Sequence, residues 1–271
     1  MNYKLLALDL DGTLTDSRKE VTPRTLVALL EAQQRGMRIV IASGRPPHGV
    51  APVADLLQLD AYGGFALSFN GGEIRNWETR EIVYRKTIDP AYLPYLYACA
   101  KSRRLAIGTF HHAFSITETP HDKYIRREAK ISNLTVKEVS DFLSAIDFPV
   151  IKCMITGEPD ELALLEKEMQ GHLQSKLNVF RSEPYFLEIV AESVDKAKSL
   201  SILLNHLSLR RDELIAIGDG YNDASMIQFA GLGIAMANAQ EEVRKQADRI
   251  TLSNDEEGVA AIVEQLLDGT L

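Results

Sequence analysis

The sequence predicts an α/β fold, a parallel sheet flanked by helices and interrupted by an inserted α+β domain. Short apolar runs alternate with helical patterns over the first 70 residues and again from Ser193 onward. Each run ends in a polar, glycine-bearing cluster, at 9–13, 43–45, 70–72 and 218–220. The stretch between the two alternating regions mixes strand and helix signals in another order.

Residues 3–8 form a short apolar run that reads as a buried strand. Thr22-Pro23 opens a helix, as a cap followed by a first-turn proline. Leu26, Leu29, Leu30 and Gln33 keep helical spacing until Gly36. A second strand spans 37–42, Pro46-Pro47 opens a helix to about Leu57, and a third strand spans 65–69. That β-α-β-α-β order implies a parallel sheet with its polar residues gathered at the carboxyl ends. The middle reads as strand, turn and strand over 73–88, a helix to Ser102, strand at 106–117 and a polar stretch at 121–130. Helix-like 136–145, strand 150–156, helix 159–170 and strands at 179–180 and 186–190 follow. An antiparallel sheet with helices is expected there. After Ser193 come a helix at 196–207, a strand at 214–217, a helix at 224–230 and a strand at 232–236. A short helix at 243–247, an edge strand at 250–252 and a closing helix at 258–267 complete the chain. The expected division is a core of 1–83 and 189–271 with an insertion of 84–188.

Composition narrows the function. The 271 residues carry 30 Lys+Arg against 38 Asp+Glu, a net charge of −8, with 45% hydrophobic and 25% charged residues. These values are those of a globular chain and exclude disorder, collagen-like repeats and coiled coils. An acidic chain lacks the basic stripe that a phosphate backbone requires, so nucleic acid is not an expected partner. Cys99 and Cys153 stand far apart and form no CxxC, which argues against a zinc ribbon, a redox motif or a disulfide scaffold. Both are expected in the core. A single basic residue precedes the first apolar run, and no run reaches the ~18 residues of a membrane span. The expectation is a cytoplasmic protein without a membrane partner.

Two acidic clusters stand at strand ends: Asp9-Leu10-Asp11-Gly12-Thr13-Leu14 and Gly218-Asp219-Gly220-Tyr221-Asn222-Asp223. Either one alone is a turn signal. Neighbouring parallel strands would bring Asp219 beside Asp9, and carboxylates that close repel unless a cation separates them. Hard oxygen ligands favour Mg²⁺. Gly12 and Gly220 permit turns and close backbone approach to a ligand. Ser43 and Gly44 offer a hydroxyl and backbone N–H groups to an anion. Lys196 opens a helix.

In order along the chain, Asp9-Leu10-Asp11-Gly12-Thr13-Leu14, Ala42-Ser43-Gly44-Arg45, Lys196 and Gly218-Asp219-Gly220-Tyr221-Asn222-Asp223 resemble the four motifs of the haloacid dehalogenase superfamily of phosphatases. The resemblance is to its Cof-type branch of sugar-phosphate phosphatases. Leu67-Ser68-Phe69-Asn70-Gly71-Gly72-Glu73-Ile74 resembles the passage by which that branch leads into its type C2 cap. Two positions depart from the family pattern: Ala197 follows the motif lysine where Gly is frequent, and Ser43 stands where Thr is common.

The resemblance implies a Rossmann-like core and a cap that sets specificity; because the insertion leaves after Asn70-Gly71-Gly72 and returns just before Lys196, it is also expected to move as a lid over the substrate. It implies that Asp9 is the nucleophile and Asp11 the general acid–base. Asp9 and Asp219 would hold Mg²⁺ through their carboxylates and Asp11 through its backbone carbonyl, with Asp223 supporting metal-bound water or Lys196. Gly12, Ser43, Gly44, Lys196 and Asn222 would bind the phosphoryl group. The expected function is a Mg²⁺-dependent phosphatase acting on small phosphorylated metabolites through an aspartyl-phosphate.

Two other readings are weaker. A phosphomutase of the same superfamily carries a differently spaced last motif, and a phosphometabolite-binding regulator has no need of Asp9 and Asp11 together. No GxGxxG or GxxxxGK[ST] pattern is present, which disfavours a kinase. His111 and His112, as strand neighbours, would point to opposite faces, so they and His121 are not expected to form a metal site. Arg126, Arg127 and Lys130 read as a solvated helix face, and Arg45 as a candidate link between core and cap.

Overall fold

The computed structural model describes residues 2–271. In chain order, β1 (Leu5–Leu8), α1 (Pro23–Gln34), β2 (Arg38–Ala42), α2 (Pro47–Leu56), β3 (Phe65–Ser68), β4 (Glu73–Asn76) and β5 (Ile82–Arg85) come first. Next are α3 (Leu93–Ser102), β6 (Ala106–His111), β7 (Phe114–Thr117), α4 (Lys123–Ile131), β8 (Thr135–Glu138), β9 (Lys152–Thr156), α5 (Pro159–His172), β10 (Leu177–Glu183) and β11 (Phe186–Ala191). Then α6 (Lys196–Leu207), β12 (Leu214–Gly218), α7 (Ala224–Phe229), β13 (Leu232–Ala235), α8 (Glu241–Arg244), β14 (Arg249–Ile250) and α9 (Gly258–Asp268) return to the first pattern. The chain divides into two compact units: one through Gly44 with Val50–Tyr84 and Asp195–Leu271, the other Arg45–Gly49 with Arg85–Val194.

The first unit is built on one eight-stranded sheet, ordered β14-β13-β12-β1-β2-β3-β4-β5. From β14 through β3 the pairs are parallel, and β4 returns antiparallel to β3. Strand periodicity decides its layers. Leu6, Leu8, Ile39, Ile41, Ile215 and Ile217 face one way, packed with residues of α1, α2 and α9. Leu5, Ala7, Val40, Ala42, Leu214 and Ala216 face the other, against Leu200, Leu203 and Leu204 of α6 and Met226 of α7. Both faces are covered, which is why these strands are continuous apolar runs. Each such Leu or Ile contributes roughly 2 kcal/mol by leaving water. Thr22 caps α1 by accepting from Thr25 N, with Pro23 in its first turn.

The second unit holds a six-stranded sheet, ordered β10-β11-β9-β6-β7-β8. Its pairs are antiparallel except β7–β8, which is parallel. Leu93, Leu96 and Ala100 of α3 and Leu162, Leu165 and Met169 of α5 cover Ile107, Cys153, Ile155, Leu187 and Ile189. Cys99 and Cys153 are both buried and free. Burial pushes the Cys153 thiol up to about 12, so it is an inert core residue.

Three local expectations give way to tertiary structure. Residues 136–145 are not a helix: Thr135–Glu138 pairs with Phe114–Thr117, and a turn follows at 142–145. The reason is Phe142, which is fully buried, stacks on Tyr97 and donates its own backbone N–H to Glu118 Oε1 at 2.8 Å. His111 and His112 do not point apart; their rings lie 4.1 Å from one another, because His112 leaves the strand with φ 52° to turn into β7. The inserted unit also runs to Val194 rather than 188, since β11 stays paired with β9 and β10 through Ala191. Among the described residues no helix is long and apolar enough to cross a membrane.

Three charged side chains of the inserted unit, Glu128, Lys152 and Glu188, are buried away from the four motifs. Glu128 of α4 accepts from Ser132 Oγ at 2.8 Å, and Lys152 Nζ pairs with Glu188 Oε1 at 3.0 Å. Burial raises the Glu128 carboxyl, the Lys152 charge draws it down, and Glu188 raises it further, for a net rise from 4.5. The folded chain therefore holds that proton to higher pH than the unfolded chain does. The associated stability is fully present below the unfolded value and lost as pH rises through the folded one. Glu128→Gln should accordingly gain stability over the parent as pH rises from about 5 to about 8, measured by thermal unfolding. A difference that shrinks with rising pH would show that Glu128 is buried as a paired carboxylate.

Candidate active site

The carboxyl ends of β1, β2 and β12 meet at one edge of the first unit's sheet. Leu8 is in register with Ile41 on one side and Ile217 on the other. Asp9 N donates to Ile217 O at 3.0 Å, extending the ladder by one residue. Two residues further on each strand, the backbone turns, and Asp9 and Asp219 are left side by side. Carboxylate oxygens of Asp9, Asp219 and Asp223 lie within 4.8 Å of one another, the group that among the described residues could hold a metal ion.

Lys196 holds this group together. It is the first residue of α6, whose N-cap Asp195 accepts from Lys198 N. Its Nζ donates to Asp9 Oδ1 at 2.7 Å, to the Ala42 carbonyl at 2.7 Å and to Asp223 Oδ1. Burial by itself would lower the ammonium, but the charges of Asp223 and Asp9 outweigh it and raise it above its ordinary value. Burial, then the charge of Asp223, raises the Asp9 carboxyl well above the usual range, while Lys196 pulls it down. Burial and Asp223 likewise bring Asp219 up to about 6. One ammonium among three carboxylates leaves negative charge in excess.

The loops orient each group. Asp223 Oδ2 accepts from Asp219 N at 3.1 Å and Gly220 N at 2.9 Å, leaving Oδ1 for Lys196. Thr13 Oγ1 donates to Asp219 Oδ1 at 2.8 Å. Gly12 has φ +87°, and a Cβ there would stand 2.5 Å from Asp219 Oδ2, so only glycine fits. The Asp11 carboxylate lies outside the acidic group and faces Lys19 Nζ at 2.9 Å.

Ser43 and Gly44 follow β2. Ser43 N donates to Leu67 O at 2.8 Å, and its carbonyl accepts from Asn70 N at 2.9 Å. Asn70 takes a left-handed backbone, φ 56°, and its Oδ1 accepts from Asn222 Nδ2 at 3.0 Å. A Cβ on Gly44 would stand 3.2 Å from Asn70 Nδ2. Asn70 thus joins the Ser43 loop to the Asn222 loop, a role hidden in sequence by its resemblance to any Asn-Gly turn. Thr13 stands inside the first motif with no role of its own assigned there, and Lys19 reads in sequence as an ordinary surface lysine. The histidines lie elsewhere: His121 Nδ1 is 2.8 Å from Arg126 Nη2, and none belongs to the metal-competent group. Arg126, Arg127 and Lys130 are exposed on α4, with Arg127 over the Tyr185 ring. Arg45 clusters with the inserted unit.

The stability of this arrangement depends on Lys196. Lys196→Met should destabilise the metal-free chain by about 3–5 kcal/mol at neutral pH, because buried carboxylates lose their partner. Denaturant unfolding measures it, and a loss below about 1 kcal/mol would mean the carboxylates are relieved in another way.

Comparison with known proteins gives one family. Its profile, described as haloacid dehalogenase-like hydrolase, matches residues 6–263. YxeH of Bacillus subtilis is 32% identical over 272 residues, covering 98% of each chain. The 5-amino-6-(5-phospho-D-ribitylamino)uracil phosphatase YcsE of the same organism is 29% identical, covering 97% of this chain and 95% of its own. The crystal structure of a haloacid dehalogenase-like hydrolase from Bacteroides thetaiotaomicron matches with a TM-score of 0.94 and 51% identity, over 97% of this chain and 99% of that one. With the acidic edge, the buried lysine and a match along nearly its whole length, this chain belongs to the haloacid dehalogenase-like hydrolase family.

Proposed function

We propose that this phosphoric monoester hydrolase cleaves small phosphorylated metabolites, sugar or polyol phosphates, with Mg²⁺ and through an aspartyl-phosphate on Asp9. The observation that carries the reading is the buried Lys196 ammonium shared by Asp9 and Asp223, with Asp219 within cation-holding distance. Three carboxylates with excess negative charge fit a small hard dication. When bound, the cation supplies charge neutralisation to a phosphate dianion near a carboxylate. The phosphoribityl substrate in the name of YcsE supports the polyol-phosphate class.

The residues divide the work. An Asp9 oxygen attacks phosphorus, and the bond from phosphorus to the substrate's alcohol oxygen breaks. Asp11, outside the acidic group, acts as the general acid in its protonated form, which requires it to leave Lys19, and gives its proton to that oxygen. It then takes a proton from the water that attacks the aspartyl-phosphate, releasing inorganic phosphate and restoring Asp9. Lys196, Ser43, Asn222 and the backbone N–H groups of Gly12 and Gly44 hold the phosphoryl oxygens, where fixed donors stabilise developing charge best. Selection among substrates is assigned to the inserted unit, which carries no motif residue except Arg45.

Asp9→Asn keeps the shape of the side chain but removes the nucleophile. Hydrolysis of p-nitrophenyl phosphate should fall by roughly a thousandfold or more. A purified variant keeping a tenth of the parent rate would remove Asp9 from that role. Chelation with EDTA should abolish turnover and Mg²⁺ should restore it, whereas Ca²⁺, larger and less strict in geometry, should restore little. Full activity of rigorously metal-free protein would overturn the cation site.

A further inference from the structure

Asp219 is the least firmly anchored of the three carboxylates. Asp9 and Asp223 share the Lys196 ammonium, and Asp223 also takes two backbone N–H groups. Asp219 is instead held by neutral donors from two loops. Thr13 Oγ1 addresses its Oδ1 at 2.8 Å, and Asn238 Nδ2 lies 3.5 Å from its Oδ2.

Asn238 lies in the loop after β13, outside all four motifs. The same Nδ2 donates to the Gly12 carbonyl at 2.8 Å, so one amide nitrogen spans the Gly12 peptide and the Asp219 carboxylate. Its Oδ1 accepts from Asn254 N at 3.0 Å, and Asn254 Nδ2 donates to the Thr15 carbonyl at 3.0 Å. Asp255 Oδ1 accepts from Ser17 N at 2.8 Å, fixing the same two loops to one another. The backbone on either side of Asn238 is held as well: Met236 N donates to Gly218 O at 3.0 Å and Gln240 N to Asp219 O at 3.3 Å. Three loops, following β1, β13 and β14, are therefore stitched together around one carboxylate.

We propose that Asn238 is a positioning residue for the cation site, holding Asp219 against Gly12 at the orientation in which it joins Asp9, with Asn254 as its anchor. This rests on the reading of Asp9, Asp219 and Asp223 as that site. A carboxylate left to rotate must be ordered when the ion binds, and its lost preorganisation appears as weaker binding. Partners of metal ligands commonly account for about 10–100-fold in affinity. Asn238 is exposed and its contact to Asp219 is long, so the low end of that range applies.

The test is binding, measured on the metal-free full chain by calorimetry with Mg²⁺ and by electron paramagnetic resonance of free Mn²⁺. Asn238→Ala should raise the dissociation constant about tenfold. Asn238→Ser, whose hydroxyl is too short to span Gly12 and Asp219, should match it and serves if the alanine variant does not fold. The denaturant midpoint of the metal-free protein should stay near the parent's, an outcome that a general loosening of the fold would not give. Binding by a folded variant within twofold of the parent would overturn the proposal. Failure of the parent itself to bind either ion would overturn the cation site, and the role of Asn238 with it.

Discussion

A single buried ammonium makes the acidic edge of this protein possible. Asp9 and Asp223 are almost wholly removed from solvent, and two carboxylates in that position repel each other and lose hydration at once. The Lys196 ammonium answers both costs, donating to each of them and to the Ala42 carbonyl at the end of β2. It thereby ties three neighbouring strand ends to the start of α6. The residues joined in this way stand 187 positions apart. Between Asp9 and Lys196 the chain contributes Arg45–Gly49 and Arg85–Val194 to the second unit before Lys196 opens α6.

The rest of the site follows from how closely the loops approach one another. Gly12, with φ +87°, brings its backbone against Asp219, and Gly71, with φ +104°, brings its backbone against the Asp195 carbonyl. At Gly71 a Cβ would stand 2.7 Å from that carbonyl, and the Gly71 carbonyl itself accepts from Ser199 Oγ at 2.7 Å. The glycine after β3 thus packs the first turn of α6 and sets where Lys196 begins. Backbone freedom at two positions is converted into charge placement.

The balance of charge at this edge supports the proposed cation site. Three carboxylates face one lysine, and Asp219 is displaced to about 6 by burial and by Asp223. A structural cluster would be expected to close as a neutral pair. Excess negative charge at the carboxyl edge of a parallel sheet instead suits an arriving cation and the phosphate it accompanies.

What the sequence determined alone was local. The strands of the first unit were readable as apolar runs because both faces of their sheet are covered. The helix starting at Pro23 was readable because Thr22 and Pro23 cap it within four residues. The two acidic turns were readable because their spacing is set within single loops. What failed had equally physical causes. Residues 135–138 became a strand because β7 offered an open edge and Phe142 a buried anchor, neither visible in a weak helical period. His112 left the strand because a hairpin turned there. Asn70, Asn238 and Lys19 carry turn and surface chemistry in any sequence window. Folding alone sets them beside Asn222, Asp219 and Asp11. Periodicity and capping act over a few residues and are written in the chain; the partner of a polar side chain beyond that range, 19 positions away for Asn238 and 152 for Asn70, is decided by how the loops meet at the edge of the sheet.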